Sequence, residues 1–151
     1  VRTAVRFATT EDFPQVFALL RSYYEEWNVW QRDDEAAVRK AFGSAPLGYF
    51  LAEIDGQPAG CVQIKPLPAL PDAVECKRLF VMPAFRGHRL AGTLMDAAES
   101  AARAAGYRWV YLDSADEFVT AIALYRRRGY EQTERYNDNA QATIFLRLAL
   151  G

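Results

Sequence analysis

The residues Arg86-Gly87-His88-Arg89-Leu90-Ala91-Gly92 follow the apolar run Leu79-Phe80-Val81 and open a helical pattern. A turn that leaves a strand and starts a helix aims several unpaired backbone N–H groups at one point, a disposition suited to a pyrophosphate. A glycine at position 87 also serves a backbone with positive φ, so the turn alone leaves both explanations open. Proton-transfer candidates lie nearby. Glu75 sits inside an apolar strand pattern with Val74, Cys76, Leu79 and Val81, where an unpaired carboxylate is costly. It must face a wet cleft or meet a cation. Alternation places it on one face with Lys77, and places Cys76 and Arg78 on the other. Asp113 ends a later strand, where it and Ser114 either line a cleft or cap the following turn.

These groups need a scaffold, and its elements are readable. Arg2 to Ala8 alternates as a strand. Asp12 and Gln15 have the spacing of a capping box, with Pro14 tolerated in the first turn of a helix carrying Val16, Leu19, Leu20 and Tyr23. Asp33-Asp34-Glu35 is an acidic start for a short second helix that ends at Gly43. Two strands, Tyr49 to Ile54 and Ala59 to Ile64, flank Asp55-Gly56, a hairpin turn signal. Prolines 66, 68 and 71 make a semi-rigid loop before a strand at Val74 to Val81. The third helix, Leu90 to Ala105, repeats apolar residues at Leu90, Leu94, Ala97, Ala98, Ala101 and Ala105, most of them small enough for close packing on a sheet, and Gly106 ends it. Arg108 to Leu112 reads as a buried strand, Val119 to Arg128 as a helix closed by Gly129, and Tyr130 to Tyr136 and Ala142 to Leu150 as two final strands. The order β-α-α-β-β-β-α-β-α-β-β predicts an α/β (α+β) fold with a mixed sheet.

A chain of 151 residues, 51% apolar, holds one substantial core, so residues 1–151 are expected to form a single domain. Eighteen basic side chains nearly cancel nineteen acidic ones, which gives no global attraction for nucleic acid or an anionic membrane. Arg126, Arg127 and Arg128 instead suit a helix C-terminus. No run approaches the roughly 18 apolar residues of a membrane span, and a cytoplasmic protein is expected. His88 is the sole histidine, and Cys61 and Cys76 lack metal-site spacing. No metal is expected, and both thiols read as buried and free.

Taken with a second helix carrying Leu124-Tyr125-Arg126-Arg127-Arg128-Gly129-Tyr130, the phosphate turn resembles that of the GCN5-related N-acetyltransferase family. The resemblance follows the element order from the Arg2 strand to the Leu150 strand and is most specific between Glu75 and Tyr130. The family motif is Gln or Arg, two variable residues, Gly, one variable residue, then Gly or Ala, and Arg86 to Ala91 occupy its places. Arg86 and Ala91 fit. Arg89 stands where glycine is usual, and Phe118 stands where many relatives carry asparagine.

The resemblance implies a mostly antiparallel sheet, splayed between its fourth and fifth strands and flanked by four helices. It implies acetyl-CoA as the donor and the primary amine of a small molecule or amino acid as the acceptor, with direct transfer. Protein or peptide acetylation and non-catalytic CoA binding are the alternatives. The cofactor would lie along Leu79, Phe80 and Val81, over the turn from Arg86 through Gly87, His88, Arg89, Leu90, Ala91 and Gly92, and beside Phe118 and Tyr125. For His88, contact with a CoA phosphate stands beside simple exposure to solvent.

Tyr125 matches the tyrosine proposed to protonate the departing sulfur, although a helix tyrosine packing on the sheet is also compatible. Glu75 matches a carboxylate that removes the amine proton directly or through water; ammonium binding and an ion pair with Lys77 or Arg78 remain alternatives. The acceptor is expected among Tyr23, Tyr24, Trp27, Glu75, Asp113 and Tyr136, near Glu25, Glu26, Trp30, the proline loop and the link Tyr136-Asn137-Asp138-Asn139. Trp27 and Trp30, at three-residue spacing, more often mean one packed helix face. The final strands are expected to permit a homodimer. A dinucleotide enzyme is disfavoured, since neither a Gly-x-Gly-x-x-Gly turn after the first strand nor a Gly-Lys-Ser/Thr signature is present.

Overall fold

The computed structural model describes residues 1–27, 34–42 and 46–151. Its elements run β1 (Thr3–Phe7), α1 (Phe13–Trp27), α2 (Glu35–Ala41), β2 (Gly48–Ile54), β3 (Gln57–Pro66), β4 (Ala73–Val81), α3 (Leu90–Ala104), β5 (Trp109–Ser114), α4 (Val119–Arg127), β6 (Glu131–Gln132) and β7 (Ile144–Ala149). Short 3₁₀ turns at Thr10–Asp12 and Pro83–Phe85 precede α1 and α3. This is the predicted order. The expected helix boundaries at Asp33 and Gly43, and Trp30, lie outside the described residues.

One seven-stranded sheet has the order β1-β2-β3-β4-β5-β7-β6, antiparallel except where β4 meets β5. That parallel contact is brief. Ala73 pairs with Trp109, Val74 with Val110 and Glu75 with Tyr111, after which the two strands have no further paired residues. The sheet therefore splays between its fourth and fifth strands.

Each face carries an apolar layer. On one, Leu90, Leu94, Met95, Ala98 and Ala102 of α3 pack on Val62, Ile64, Val74 and Val110. On the other, Val16, Leu19 and Leu20 of α1 pack with Val38 of α2 on Tyr49, Leu51 and Cys61. Ala105 falls at the C-cap of α3 and is exposed, just beyond the buried stripe.

The β3–β4 ladder contains one extra residue. Cys61 pairs with Phe80 and Gln63 with Lys77, so three steps on β4 oppose two on β3. Arg78 turns through the left-handed region at φ 60° within this bulge. The phase of alternation changes there: Val74 and Cys76 share the α3 face with Val81, whereas Phe80 joins the α1 face. Gly60 makes the close approach possible, since a Cβ there would lie 2.6 Å from the Phe80 carbonyl oxygen.

Two local expectations change. Asp12 does not pair with Gln15; its carboxylate accepts the Thr9 backbone N–H at 2.7 Å and two bonds from the Arg6 guanidinium at 2.8 Å each. A bidentate guanidinium and a backbone donor outcompete a side-chain amide for one carboxylate. The strand expected over Tyr130 to Tyr136 is limited to Glu131–Gln132. Beyond it, side-chain turns claim the backbone: Asn139 N–H donates to Asn137 Oδ1 at 3.0 Å, and Gln141 N–H donates to Asn139 Oδ1 at 3.1 Å.

Candidate active site

The splay opens a cleft of about 1030 Å³ beside the turn that starts α3. Leu79, Phe80 and Val81 form one wall. Their β5-facing backbone groups have no strand partner past Glu75, which leaves polar edge available to a ligand. The turn contributes Arg86, Gly87, Arg89, Leu90, Ala91 and Gly92. Phe118, Leu124 and Tyr125 come from the α4 side, and Tyr23, Tyr24 and Trp27 from α1. His88 is exposed and outside the cleft lining; the buried Glu75, the half-buried Tyr136 and the loop 67–72 also lie outside that lining.

The turn has two residues in the left-handed region, Gly87 at φ 93° and Arg89 at φ 60°. Arg89 is the N-cap of α3, and its carbonyl accepts the backbone N–H of Thr93 at 3.2 Å and the Thr93 hydroxyl at 3.1 Å. The arginine thus follows the backbone path that glycine would take without strain. An arginine at such φ costs on the order of 1–2 kcal/mol. The first-turn N–H groups still face the cleft end of a 15-residue helix, so the main chain retains the donors that a diphosphate needs.

Arg86 has a different engagement from the one its motif position suggests. Its Nε donates to the Val81 carbonyl at 2.9 Å, and Nη2 pairs with Glu26 Oε2 at 2.6 Å. It braces the turn against the end of β4 and the end of α1. Next to Glu26, Trp27 meets Phe118 with ring centroids 4.5 Å apart, linking the α1 wall to the N-cap of α4.

Tyr125 is buried, at 7% exposure, yet lines the cleft. Burial pushes its phenol well above the ordinary value, with Cys76, Tyr23 and Asp113 adding to the effect. The hydroxyl consequently stays protonated, the form that can donate a hydrogen bond. Cys61 and Cys76 are buried free thiols; burial pushes Cys61 up to about 12 and raises Cys76 further. Neither is a thiolate near neutral pH.

The polar end of the cleft is a six-residue network. Glu75 Oε2 accepts from the Tyr136 hydroxyl at 2.8 Å and from Asn137 Nδ2 at 3.2 Å. Lys77 Nζ stands 3.6 Å from Glu75 and 4.0 Å from Asp113, while Lys65 reaches Glu75 at 3.9 Å. Asn137 Nδ2 also donates to Asp113 Oδ2 at 2.6 Å. Burial, then Glu75, raises the Tyr136 phenol above its ordinary value. Asp113 is therefore a member of this network, and the N-cap of α4 is Phe118. Lys77 and Asp113 line the cleft, whereas Glu75 and Tyr136 stand behind them. Asn137, expected only as part of the acceptor-side link Tyr136 to Asn139, is the residue that joins the two carboxylates.

The sequence model of the Acetyltransferase (GNAT) family matches residues 13–130. An uncharacterized N-acetyltransferase of Schizosaccharomyces pombe is 30% identical over 147 residues, covering 93% of this chain and 90% of that protein. The chain belongs to the GNAT family of acetyltransferases. Its fold matches a GNAT-family acetyltransferase from Staphylococcus aureus with TM-score 0.86 at 16% identity, covering 99% of this chain and all of that one. It also matches the PaiA N-acetyltransferase of Thermoplasma acidophilum, solved in complex with coenzyme A, with TM-score 0.80 at 13% identity and 99% coverage of both chains. Among the described residues no helix is long and apolar enough to cross a membrane.

Proposed function

We propose that this protein moves the acetyl group of acetyl-CoA directly to the primary amine of a small molecule or amino acid. The observation that carries the reading is the opening of β4 from β5 immediately after Glu75 and Tyr111, beside a backbone turn built for an anion. Acetyl-CoA, when bound, supplies an activated thioester. The free β4 edge takes an extended polar arm through main-chain groups, and the α3 N-terminus takes the diphosphate. Tyr125 offers a protonated hydroxyl to the sulfur that leaves.

The acceptor enters against Tyr23, Tyr24 and Trp27, with Lys77 and Asp113 at the polar end. Aromatic faces beside a carboxylate suit a small cationic amine. The Trp27–Phe118 contact favours this acceptor over a peptide, because an extended main chain needs an open groove. The left-handed Arg89 favours a working cofactor site over a degenerate one, since the turn keeps its backbone path. Isothermal titration with acetyl-CoA at roughly 100 micromolar, within the usual range of KM values, should give measurable heat. Thiol release should then appear with some member of a panel of amines, amino acids and peptides. No heat removes the cofactor assignment, and release with peptides alone moves the acceptor class.

A further inference from the structure

We infer that Asp113 is the carboxylate that takes the proton from the acceptor ammonium, with Asn137 and Glu75 as positioning residues; this rests on the amine acetyltransferase reading. Two carboxylates occupy the polar end, and the cleft sorts them. Glu75 is 4% exposed, carries two hydrogen bonds on Oε2, has a lysine near each oxygen and lies outside the cleft wall. An incoming ammonium would have to displace Tyr136 or Lys77 to reach it. Asp113 is on the wall itself.

Its position follows from the splay. Glu75 and Tyr111 are the last paired residues, so Lys77 on β4 and Asp113 on β5, each two residues further on, face each other where the strands part. Asn137 Nδ2 secures Asp113 Oδ2 at 2.6 Å. No described residue hydrogen-bonds Oδ1, which leaves that oxygen for a substrate N–H. Lys77 contributes a second effect: a positive charge beside the acceptor disfavours its ammonium form. The charged and titratable groups around Asp113 are Lys77 and Glu75 on β4, Tyr136 beside Asn137, and Tyr125 on α4.

The balance is that of acyl transfer. One ammonium proton passes to Asp113 Oδ1 and on to solvent through the cleft. The amine nitrogen forms its bond to the acetyl carbon as the carbon–sulfur bond breaks. The electron pair leaves with sulfur, and the second nitrogen proton ends there. Ammonium and thioester thus give amide, thiol and one released proton.

The test measures kcat/KM between pH 6 and 9 with 2-phenylethylamine, an amine titrating near 10 like a lysine (about 10.4). Wild-type protein should give a nearly flat profile, since the ammonium is the form used. D113N should lose about 100-fold or more at pH 7. Its residual rate should climb about tenfold per pH unit as free amine accumulates. N137A should lose less and keep the flat profile. Binding of 2-phenylethylamine to the complex with coenzyme A, where no turnover occurs, should weaken in D113N about tenfold while coenzyme A affinity holds. A tenfold-per-unit climb in the wild type overturns the inference whether or not D113N folds, and so does D113N within threefold of wild type. If no amine releases thiol from wild-type protein, the acetyltransferase reading itself falls and the inference with it.

Discussion

The guanidinium of Arg128 grips both carboxylate oxygens of Glu99, Nε to Oε2 at 3.0 Å and Nη2 to Oε1 at 2.7 Å. Tyr130 donates its hydroxyl to the same Oε2 at 2.9 Å, and Asp96 accepts from Nη2 at 2.6 Å. Nη1 of Arg128 also reaches the Gly92 carbonyl at 3.3 Å. The end of α4 is thus pinned along the first three turns of α3. Removing one partner leaves the other charged and largely buried. Glu99→Ala should lower unfolding free energy by about 3 kcal/mol or more in urea titration, and the double replacement Glu99→Leu with Arg128→Met should recover much of that loss. An Ala variant within 0.5 kcal/mol of wild type, roughly the spread of ordinary surface changes, would show the pair to be idle.

Tyr125→Phe should reduce kcat about tenfold to 100-fold and leave acetyl-CoA affinity nearly unchanged, because the role proposed for the hydroxyl is to protonate the departing sulfur. Steady-state kinetics paired with titration calorimetry separates the two effects. Equal losses in both would reassign the residue to binding.

Asp12 gives the fold an acid-sensitive contact. Its hydrogen bonds from Arg6 hold the carboxyl down at about 2, against an ordinary 3.8. A depressed folded-state value means the stabilisation is complete above about pH 4 and drains away as pH falls toward 2, when the unfolded chain takes up the proton first. Asp12→Asn should therefore cost on the order of 2 kcal/mol at pH 7 and progressively less on acidification. Thermal melts at pH 7 and pH 3 check this. A constant deficit across that window would remove the linkage.

Arg89→Gly relaxes the left-handed N-cap of α3. Strain relief and the added freedom of glycine in the unfolded chain oppose each other at about 1 kcal/mol each, so stability should change little. Acetyl-CoA affinity should stay within about threefold, under 1 kcal/mol, if the main chain does the holding. A tenfold loss would make the guanidinium itself an anion contact.

Gly60→Ala places a methyl 2.6 Å from the Phe80 carbonyl oxygen. Backbone cannot yield there as a side-chain tip would, and overpacking of this kind costs roughly 1–3 kcal/mol. The damage lands on the bulge that aims the cleft wall, so melting temperature and turnover should fall together.

Much of this architecture is legible in the sequence, for identifiable reasons. Alternation, the Asp55-Gly56 turn and the small-residue stripe of α3 are local signals, and they placed the elements. The fork between β4 and β5 was expected only through the family resemblance. What escaped was long-range. Arg86 matched a phosphate motif, yet nothing local reveals that its side chain reaches Val81 and Glu26. Glu99 lies beside Met95, Ala98 and Ala102 on the buried face of α3, and a carboxylate at a core position does announce a buried cation. Which cation, 29 residues away, was invisible. Glu75 and Asp113 were both named as candidates, but only the three-dimensional pairing ranks them by access. The strand expected over 130–136 holds only at Glu131–Gln132; past the bond from Thr133 N–H to the Phe145 carbonyl the chain leaves β7, and nothing local in the sequence marks that departure.

The surplus residue in β4 near Arg78 gives that strand two alternation phases, a charged wall before it and an apolar one after it. Losing one amino acid there would swap the faces of Phe80 and Val81 while leaving Glu75 and Lys77 in place. The two halves of the site would then be half a pleat out of step. Length changes in this strand are therefore far more damaging than most substitutions, whereas the proline-punctuated link at 67–72, which borders no part of the cleft, is where the chain can grow or shrink.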